Sequence, residues 1–461
     1  MVCPTYPMVT HWAKDSFFYH IYPLGFCGAP PRNDLQAPPL ARLEKVSPWI
    51  DHLRRLGVNA LYLGPLFEST AHGYDTADYY RLDRRLGTNE TLTALVAELH
   101  AAGIRVIFDG VFHHVGRDFW AFRDVQQQGE QSPYASWFAG LKFGQQSPYG
   151  DPFIYDGWNG ALDLVKLKLG HPDVRKHLLD AVVTWIREFD IDGLRLDVAD
   201  QVAMPFLKEL ATTCRAQRSD FWLMGEVIHG DYRRWAKPGV LDSVTNYECY
   251  KGLFSSHVDK NYFEIAYALD RQFGPNGIYR DLPLYSFADN HDVDRVASSL
   301  KESRHLYPLY CLLLTMPGVP SVYYGSEFGV EGKRGAHDDS VLRPCLELDE
   351  LMANGPQPAL VDAIARLATL RHELPALRHG DYQQLAVAHE QLAFARTTPE
   401  QRVVVVVNAS EQPATVKFDV PGGHGRKLVD RLEPGKEYPT PRGKASITNV
   451  PPGWARVLVV E

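Results

Sequence analysis

The chain has 461 residues, of which 45% are hydrophobic and 23% charged, and this composition excludes a disordered, collagen-like or coiled-coil protein. Its formal net charge is −8, with 48 basic against 56 acidic residues, which argues against a nucleic-acid partner because such a partner needs a basic face. The length fits about three domains, or one (β/α)₈ barrel of roughly 250 residues with insertions.

Eight short runs rich in β-branched and aromatic residues are predicted strands, and amphipathic segments separate them. The clearest helical segment is 172–190, which has Pro172 at its start and apolar residues at helical spacing. Eight strands alternating with helices predict an α/β fold, specifically a closed parallel TIM barrel. The predicted strands are 17–26, 60–67, 105–112, 193–200, 221–228, 243–250, 284–292 and 320–329.

Two regions interrupt or follow this alternation. The long segment after the third strand is rich in glycine and aromatic residues, and structureless loops of that length are uncommon. From about residue 379, strands follow one another with GG, PG and NVPPG turns and no long helix. We therefore predict a barrel from 1–113 and 166–378, an inserted domain at 114–165, and a C-terminal all-β sandwich domain at 379–461.

Targeting and membrane signals are also absent from the sequence. The first twenty residues contain no basic stretch followed by an apolar core, so we predict no secretion signal. The uncharged stretch 306–326 has the length of a membrane span, but three prolines and two glycines predict a helix, a turn and a strand instead. We expect a cytoplasmic protein with no membrane partner.

The cysteines lie far apart and form no C-x-x-C pair. This spacing excludes a disulfide framework and a zinc ribbon. They are Cys3, Cys27, Cys214, Cys249, Cys311 and Cys345.

The fourth predicted strand carries the first candidate catalytic residues. Side chains alternate along a strand, so Arg195 and Asp197 share one face and Leu194, Leu196 and Val198 share the other. The apolar face suits the helix layer, so Arg195 and Asp197 are predicted to point inward. An arginine beside Asp197 would keep it ionised, as a nucleophile requires. A structural ion pair is the alternative interpretation.

Two further strand ends supply carboxyl groups. Glu226 ends an apolar strand, and a carboxyl group in such surroundings has a raised pKa and can act as a general acid, although a solvated glutamate is the alternative. The seventh strand adds His291 and Asp292, which can both serve only if the strand bends at its end. We interpret Asp289 as structural.

Three inward carboxylates with an arginine and several histidines at one barrel mouth indicate acid-assisted displacement at an acetal carbon, as in a retaining glycosidase. The third carboxylate can stabilise cationic charge or hold substrate hydroxyl groups. A metal-dependent hydrolase is disfavoured because His113 and His114 are adjacent and the first strand has no H-x-H pair.

Six segments stand out along the chain, namely HGYDTADYY at 72–80, GIRVIFDGVFHH at 103–114, GLRLDVAD at 193–200, GEV at 225–227, FADNHD at 287–292 and GVPSVYYGSE at 318–327. In their order and along essentially the whole chain, they resemble segments of the α-amylase superfamily, glycoside hydrolase family 13.

The resemblance implies a role for each candidate residue. It implies that Asp197 is the nucleophile, Glu226 the acid/base and Asp292 the transition-state stabiliser. The substrate-binding residues that it implies are Tyr74, which stacks on the sugar, Asp75, His114, Arg195 and His291. It also identifies the insertion with domain B of the family and the C-terminal region with its β-sandwich domain C.

Within the family the chain is most similar to the cyclomaltodextrinase and neopullulanase group. That group attacks small or cyclic α-glucans and usually carries an extra N-terminal domain with its dimer contact. Because the first barrel strand begins near Phe17, that domain is expected to be missing, and a homodimer stays an open alternative. The expected substrate is a small linear or cyclic gluco-oligosaccharide with α-1,4 or α-1,6 bonds, and cyclic maltosyl-maltose is a specific candidate.

The catalytic residues leave hydrolysis and glycosyl transfer both open, because the same covalent intermediate serves a hydrolase and a transglycosidase. A non-catalytic binding relative is disfavoured because the chain keeps its catalytic carboxylates.

The sequence departs from the family pattern at two places. His113 stands where an asparagine oxygen binds calcium in many members, and imidazole is a poor ligand for this hard cation. The segment LDLVKLKLGHP lacks the usual asparagine at the end of domain B. We therefore expect no metal and no cofactor.

Overall fold

Eight parallel strands form the centre of the computed structural model, which describes residues 12–336 and 338–461. The strands are β1 Phe18–Ile21, β2 Ala60–Leu63, β3 Arg105–Gly110, β4 Gly193–Leu196, β5 Trp222–Gly225, β6 Ser243–Val244, β7 Tyr285–Phe287 and β8 Val319–Tyr323. They are hydrogen-bonded in the order β6-β5-β4-β3-β2-β1-β8-β7, and a parallel bridge from Thr245 to Tyr285 joins the two edge strands. The predicted closed barrel is confirmed.

Alternation along these strands separates two apolar layers. On β2, Ala60 and Tyr62 belong to the barrel interior, whereas Leu61 and Leu63 pack toward the helices. Both faces are buried, so the strands read as near-continuous apolar runs. Aromatic rings fill the interior, which makes it a packed core rather than a pore. Examples are Phe18 and Trp222, stacked with ring centroids 5.2 Å apart.

Helices surround the barrel. Pro172–Phe189 buries eight residues on one face and has proline in its first turn, as the sequence predicts. A single 3₁₀ turn, Tyr232–Arg234, occupies the place of a helix between β5 and β6. The other helices of the outer layer are Ile50–Leu56, Asn89–Ala101, Met204–Gln217, Tyr247–Val258, Phe263–Phe273, Leu306–Thr315 and Pro358–Glu373.

Two predicted segments gave different outcomes. The predicted strand 243–250 ends at Val244, because the Asn246 side chain accepts a hydrogen bond from the Cys249 N–H (3.1 Å) and starts the helix Tyr247–Val258. The uncharged stretch 306–326 is a helix, a turn and a strand, as predicted. Within residues 12–336 and 338–461, no helix has the length and apolarity to cross a membrane.

The five described cysteines are free thiols, and Cys3 lies outside the described residues together with the rest of 1–11.

The insertion after β3 is structured. The strand His114–Gly116 pairs antiparallel with Ala161–Lys166. The ring of Phe122, on the helix Trp120–Gln128, lies 4.9 Å from that of Tyr155, so the aromatic residues of this region form a small core. The remaining strands are Lys142–Phe143, Phe153–Ile154 and Gly157–Trp158.

The C-terminal region is an all-β domain, as predicted. Its strands are β9 Asp381–Val387, β10 Gln391–Thr397, β11 Arg402–Asn408, β12 Ala414–Asp419, β13 Lys427–Asp430, β14 Glu437–Pro439, β15 Lys444–Val450 and β16 Trp454–Val460. A six-stranded antiparallel sheet has the order β9-β10-β11-β16-β13-β14, and β12 pairs with β15. The run of consecutive valines on β11 is buried on both faces, because Val404 and Val406 face the interior of this domain while Val403, Val405 and Val407 face the barrel.

Candidate active site

A cavity of about 1080 Å³ opens at the carboxyl ends of the barrel strands. Trp158 and Leu164 of the insertion form part of its wall. Its size and position are those of a ligand site on this fold. Five predicted site residues also line it, namely Tyr74, His114, Asp197, Glu226 and Asp292.

Arg195 is the centre of the charged cluster. Its Nη1 donates to both oxygens of Asp109 (2.8 and 2.9 Å) and to Asp197 Oδ1 (2.9 Å), and its Nη2 lies 2.8 Å from Glu226 Oε2. Burial acts to lower the pKa of Arg195, but Asp109 and Glu226 raise it well above its usual value. The guanidinium group therefore stays charged and holds three carboxyl groups together, as the inward orientation predicted on β4 requires.

Asp197 follows β4 and is buried beside Arg195, which it shares with Glu226. Burial raises the pKa of Asp197, and Arg195 opposes that rise. Arg195 alone therefore does not keep Asp197 ionised. Because Asp197 and Glu226 contact the same guanidinium group, they titrate as a pair. A proton on Glu226 leaves Asp197 as the carboxylate of the pair.

Glu226 follows β5 and is held through one oxygen. Its Oε2 accepts the backbone N–H of Val198 (3.0 Å) and contacts Arg195, while its Oε1 accepts the Tyr247 hydroxyl at 3.5 Å. Burial raises the pKa of Glu226, against the lowering effect of Arg195. A raised pKa suits a group that must carry a proton before it reacts.

The chain turns sharply after β7 and brings His291 and Asp292 to the cavity together. The strand ends at Phe287, and the Asp292 N–H donates to Asn290 Oδ1 (2.8 Å) in the following turn. His291 Nε2 lies 3.0 Å from Asp292 Oδ2. Burial acts to raise the pKa of Asp292, but His291 and Arg343 hold it well below its usual value. Asp292 is therefore an ionised carboxylate.

Asp289 lies on the same loop but has different partners. Its Oδ2 accepts the Val296 N–H (2.8 Å) and the Ser326 hydroxyl (2.7 Å), so it ties the loop after β7 to the end of β8. This geometry supports the structural interpretation.

Tyr74 contacts the charged cluster at the mouth, whereas Asp75 accepts hydrogen bonds within its own turn. The Tyr74 hydroxyl donates to Asp109 Oδ2 (3.1 Å) and lies 2.5 Å from His291 Nε2. Asp75 is buried behind the same turn, where its Oδ1 accepts the N–H groups of His72 and Gly73 at 3.1 Å each. Asp75 therefore shapes the turn that presents Tyr74.

His114 lies beside the proposed nucleophile. Its Nε2 is 3.9 Å from Asp197 Oδ2. Burial, with a smaller effect of His113, lowers the pKa of His114 to about 3. The ring is therefore neutral and can hydrogen-bond a substrate hydroxyl group.

Sequence reasoning missed Arg343, in the loop after β8. Its Nη2 donates to Asp292 Oδ1 (3.0 Å), its Nε donates to the His291 carbonyl (3.1 Å), and its guanidinium carbon lies 4.6 Å from the centre of the Tyr22 ring. The sequence of this loop has no helical or strand period. Nothing in the sequence therefore indicates that the fold brings Arg343 back to the mouth of the barrel.

The predicted orientation of Val198 is wrong. Strand alternation placed it on the helix-facing side, but β4 ends at Leu196 and Val198 lines the cavity. The residue lies in a turn with φ +40°, where strand alternation no longer applies.

The residues around His113 do not fit the family's calcium ion. Burial and the charge of Lys166 lower the pKa of His113 to about 4, so this position offers a neutral nitrogen near a positive charge where the cation needs oxygen ligands. In the part of the chain that the structure describes, no group of three or more His, Cys, Asp or Glu residues could hold a metal ion.

Two family models match this chain, and several known proteins are similar to it. The family model described as "Alpha amylase, catalytic domain" matches residues 20–354, and "Maltogenic Amylase, C-terminal domain" matches 382–452. The chain is 32% identical to a cyclomaltodextrinase of Geobacillus thermopakistaniensis over 91% of this chain and 73% of the relative. It is 31% identical to neopullulanase 2 of Thermoactinomyces vulgaris over 95% and 76%.

A solved structure also matches nearly end to end. The cyclic α-maltosyl-(1→6)-maltose hydrolase of Arthrobacter globiformis, in complex with cyclic α-maltosyl-(1→6)-maltose, superposes with a TM-score of 0.81 at 27% identity and covers 97% of this chain and 99% of that one. The family model alone spans most of the barrel and its rim. The chain therefore belongs to the α-amylase family of glycoside hydrolases and is an α-glucan hydrolase.

Proposed function

We propose that this chain is a retaining hydrolase of small linear or cyclic α-gluco-oligosaccharides, with cyclic maltosyl-maltose as a specific candidate substrate. The observation that carries the proposal is the contact of Asp197 and Glu226 with one guanidinium group at the floor of the cavity. Retaining glycosidases use two carboxyl groups about 5 Å apart. The names of the relatives support the substrate class, because they include a cyclomaltodextrinase and a cyclic maltosyl-maltose hydrolase.

In the first step, Asp197 attacks the anomeric carbon while Glu226 donates its proton to the leaving oxygen. The glycosidic C–O bond breaks, an ester forms between the sugar and Asp197, and the leaving sugar departs as an alcohol. Asp292, which His291 and Arg343 keep ionised, stabilises the positive charge that develops on the sugar ring.

In the second step, water attacks the same carbon and Glu226 accepts its proton. The ester bond to Asp197 breaks, and the product keeps the original anomeric configuration. Tyr74, His114 and His291 hold the sugar through both steps. Their rings lie against the carboxylate cluster, with Tyr74 and His291 stacked at a centroid distance of 5.5 Å.

A hydrolysis panel tests the proposal. Maltotriose, panose, pullulan, cyclodextrin, starch and cyclic maltosyl-maltose are incubated with the enzyme, with Asp197→Asn as the blank, and the anomeric form of each fresh product is read by NMR. We expect α-configured products from the oligosaccharides. Preferential attack on starch would overturn the small-substrate proposal, and β-configured products would overturn the retaining mechanism.

The same products separate hydrolysis from transfer. At high oligosaccharide concentration a hydrolase yields mainly shorter sugars, whereas abundant longer or rearranged sugars would make transglycosylation the main reaction.

We place the activity in the cytoplasm, in line with a Bacillus subtilis relative named intracellular maltogenic amylase. The homodimer stays a prediction that sedimentation of the purified protein would test.

A further inference from the structure

Val198 has a strained backbone at the centre of the site. Its φ of +40° lies in the left-handed region, which a β-branched residue rarely adopts. Six non-glycine residues in the described part of the chain have positive φ, and the other five are asparagine, aspartate, lysine or arginine. Strain of this kind persists only where the surroundings enforce it, and it is concentrated at functional sites.

Three backbone contacts hold the strained turn in place. The Asp197 N–H donates to the Gly110 carbonyl (3.1 Å), and the Glu226 N–H donates to the Leu196 carbonyl (2.9 Å). On the other side, the Val198 carbonyl accepts the Gln201 N–H (2.8 Å). The turn is thus anchored to β3, β5 and its own next residues, which leaves the Val198 N–H free to point at Glu226.

That N–H makes a side-chain contact with a specific consequence. It donates to Glu226 Oε2 at 3.0 Å, and Arg195 Nη2 lies 2.8 Å from the same oxygen. A carboxylate oxygen has two lone pairs, so these two donors occupy both acceptor positions of Oε2. A proton on Oε2 would displace one donor. Among the residues that the structure describes, the other oxygen, Oε1, has only the Tyr247 hydroxyl as a hydrogen-bond partner, at 3.5 Å.

We propose that the strained Val198 peptide is a positioning device that, together with Arg195, fixes the acid proton of Glu226 on Oε1. Only one of the two carboxyl oxygens then delivers the proton to the leaving sugar and later receives one from water. The inference rests on the proposed function, because it assumes that Glu226 is the acid/base. It assigns to Val198 a role through its N–H group, separate from any contact of its side chain with substrate.

The test removes the N–H and keeps the side chain. Replacing Val198 with α-hydroxyisovaleric acid, by nonsense suppression, changes the peptide to an ester and keeps the side chain. The matched control is the same replacement at Val240, whose N–H donates to the Lys237 carbonyl (3.1 Å) in a buried loop away from the cavity. Each protein is assayed with maltotriose, which needs acid assistance, and with 2,4-dinitrophenyl α-maltoside, whose leaving group needs none.

We expect the Val198 ester to lower kcat for maltotriose about tenfold or more and the bond-cleavage rate for the activated maltoside by less than about threefold. The N–H bond lowers the pKa of Glu226, so its loss should move the basic limb of the pH profile to higher pH. The Val240 ester should change neither. Equal losses on both substrates with an unmoved basic limb would overturn the inference.

A second measurement applies to the unaltered peptide. In enzyme labelled with ¹⁵N-valine, the Val198 amide resonance should shift along the titration that defines the basic limb, and Glu226→Gln should abolish that shift. An amide that does not titrate overturns the inference. If the wild-type enzyme cleaves no α-glucoside at all, the proposed function fails, whereas an active enzyme with an unresponsive amide contradicts the role of Val198 alone.

Discussion

Arg195 at the barrel mouth and the pair Arg371 and Arg396 at the other side of the barrel are buried arginines with opposite surroundings. Arg195 at the barrel mouth contacts the carboxyl groups of Asp109, Asp197 and Glu226, and Asp109 and Glu226 raise its pKa against the effect of burial. Arg371 and Arg396, where the barrel meets the C-terminal sheet, donate to main-chain carbonyls. The acceptors are the carbonyls of Leu314, Gly318 and Leu377 for Arg371, and of Thr315, Leu377 and Gly380 for Arg396.

The difference shows what each arrangement can do. Burial and neighbouring positive charge lower the pKa values of Arg371 and Arg396, and their carbonyl acceptors cannot change charge. Arg396 therefore links the C-terminal sheet to the barrel through the carbonyls of Thr315 and Leu377, and Arg371 links main-chain segments within the barrel. At the mouth, the partners of Arg195 can gain and lose protons. That region can do chemistry, at a cost in stability.

The largest expected effect is at the nucleophile. Asp197→Asn should lower kcat by about 10⁴-fold or more, because an amide cannot form the glycosyl ester. The matched control is Asp200→Asn, an exposed aspartate on the same turn, which should stay within about twofold of wild type. Steady-state hydrolysis of maltotriose measures both. A highly active Asp197→Asn enzyme would end the assignment.

Replacing one arginine in each region tests whether the first is needed for catalysis and the second for stability. Arg195→Met should lower kcat about 10³-fold, because Asp197 and Glu226 lose their shared partner. Arg396→Met should keep kcat within about threefold and lower the free energy of unfolding by about 2–4 kcal/mol, because buried carbonyls lose their donor.

Activity and urea unfolding of the two variants give the answer. A folded Arg396→Met enzyme with activity as low as that of Arg195→Met would refute the division between a catalytic and a structural arginine.

The charges at the mouth should also have a measurable stability cost. Burial raises the pKa of Asp197 in the folded protein above its value in the unfolded chain. Between these two pKa values the folded protein binds more protons than the unfolded chain, so the free energy of unfolding falls as the pH rises through this range. Asp197→Asn should therefore raise the free energy of unfolding by about 1 kcal/mol at pH 7. The gain should vanish below the unfolded pKa, near pH 3.5. A destabilised Asp197→Asn protein at pH 7 would contradict this sign.

The smallest expected effect is that of chelation. At the family's calcium position His113 offers a neutral imidazole nitrogen near the positive charge of Lys166, and calcium prefers oxygen ligands, so exhaustive EDTA treatment should change neither kcat nor Tm. Activity that falls with EDTA and returns with calcium would contradict this prediction.

Much of the barrel and of its charged centre could be predicted from the sequence. The strand runs are short and apolar, so the sequence predicts their number and order. Side-chain alternation on β4 predicts that Arg195 and Asp197 point inward, as observed. Glu226 was predictable because an apolar run ends at a single carboxyl group. These inferences need only the local geometry of one strand.

The rest depended on contacts between distant parts of the chain. Arg343 reaches Asp292 across 51 positions through a loop without a period, and the φ of Val198 is set by backbone contacts with two other strands. Asp75, whose assistance in substrate binding stays a prediction, accepts hydrogen bonds within its own turn, and the sequence pattern does not show these bonds. Side-chain alternation gives no information about such positions once a strand has ended.

The central claim is that Asp197 forms a covalent bond to the sugar while Glu226 acts as the general acid and then the general base. Incubating the enzyme with a 5-fluoro-α-glucosyl fluoride slows the second step, and peptide mass spectrometry then locates the trapped sugar. Asp197 should displace the anomeric fluoride, and we expect one added 5-fluoroglucosyl group on the peptide that contains Asp197, and none in Asp197→Asn. A label on any other residue, or none while the reagent is turned over, would contradict it.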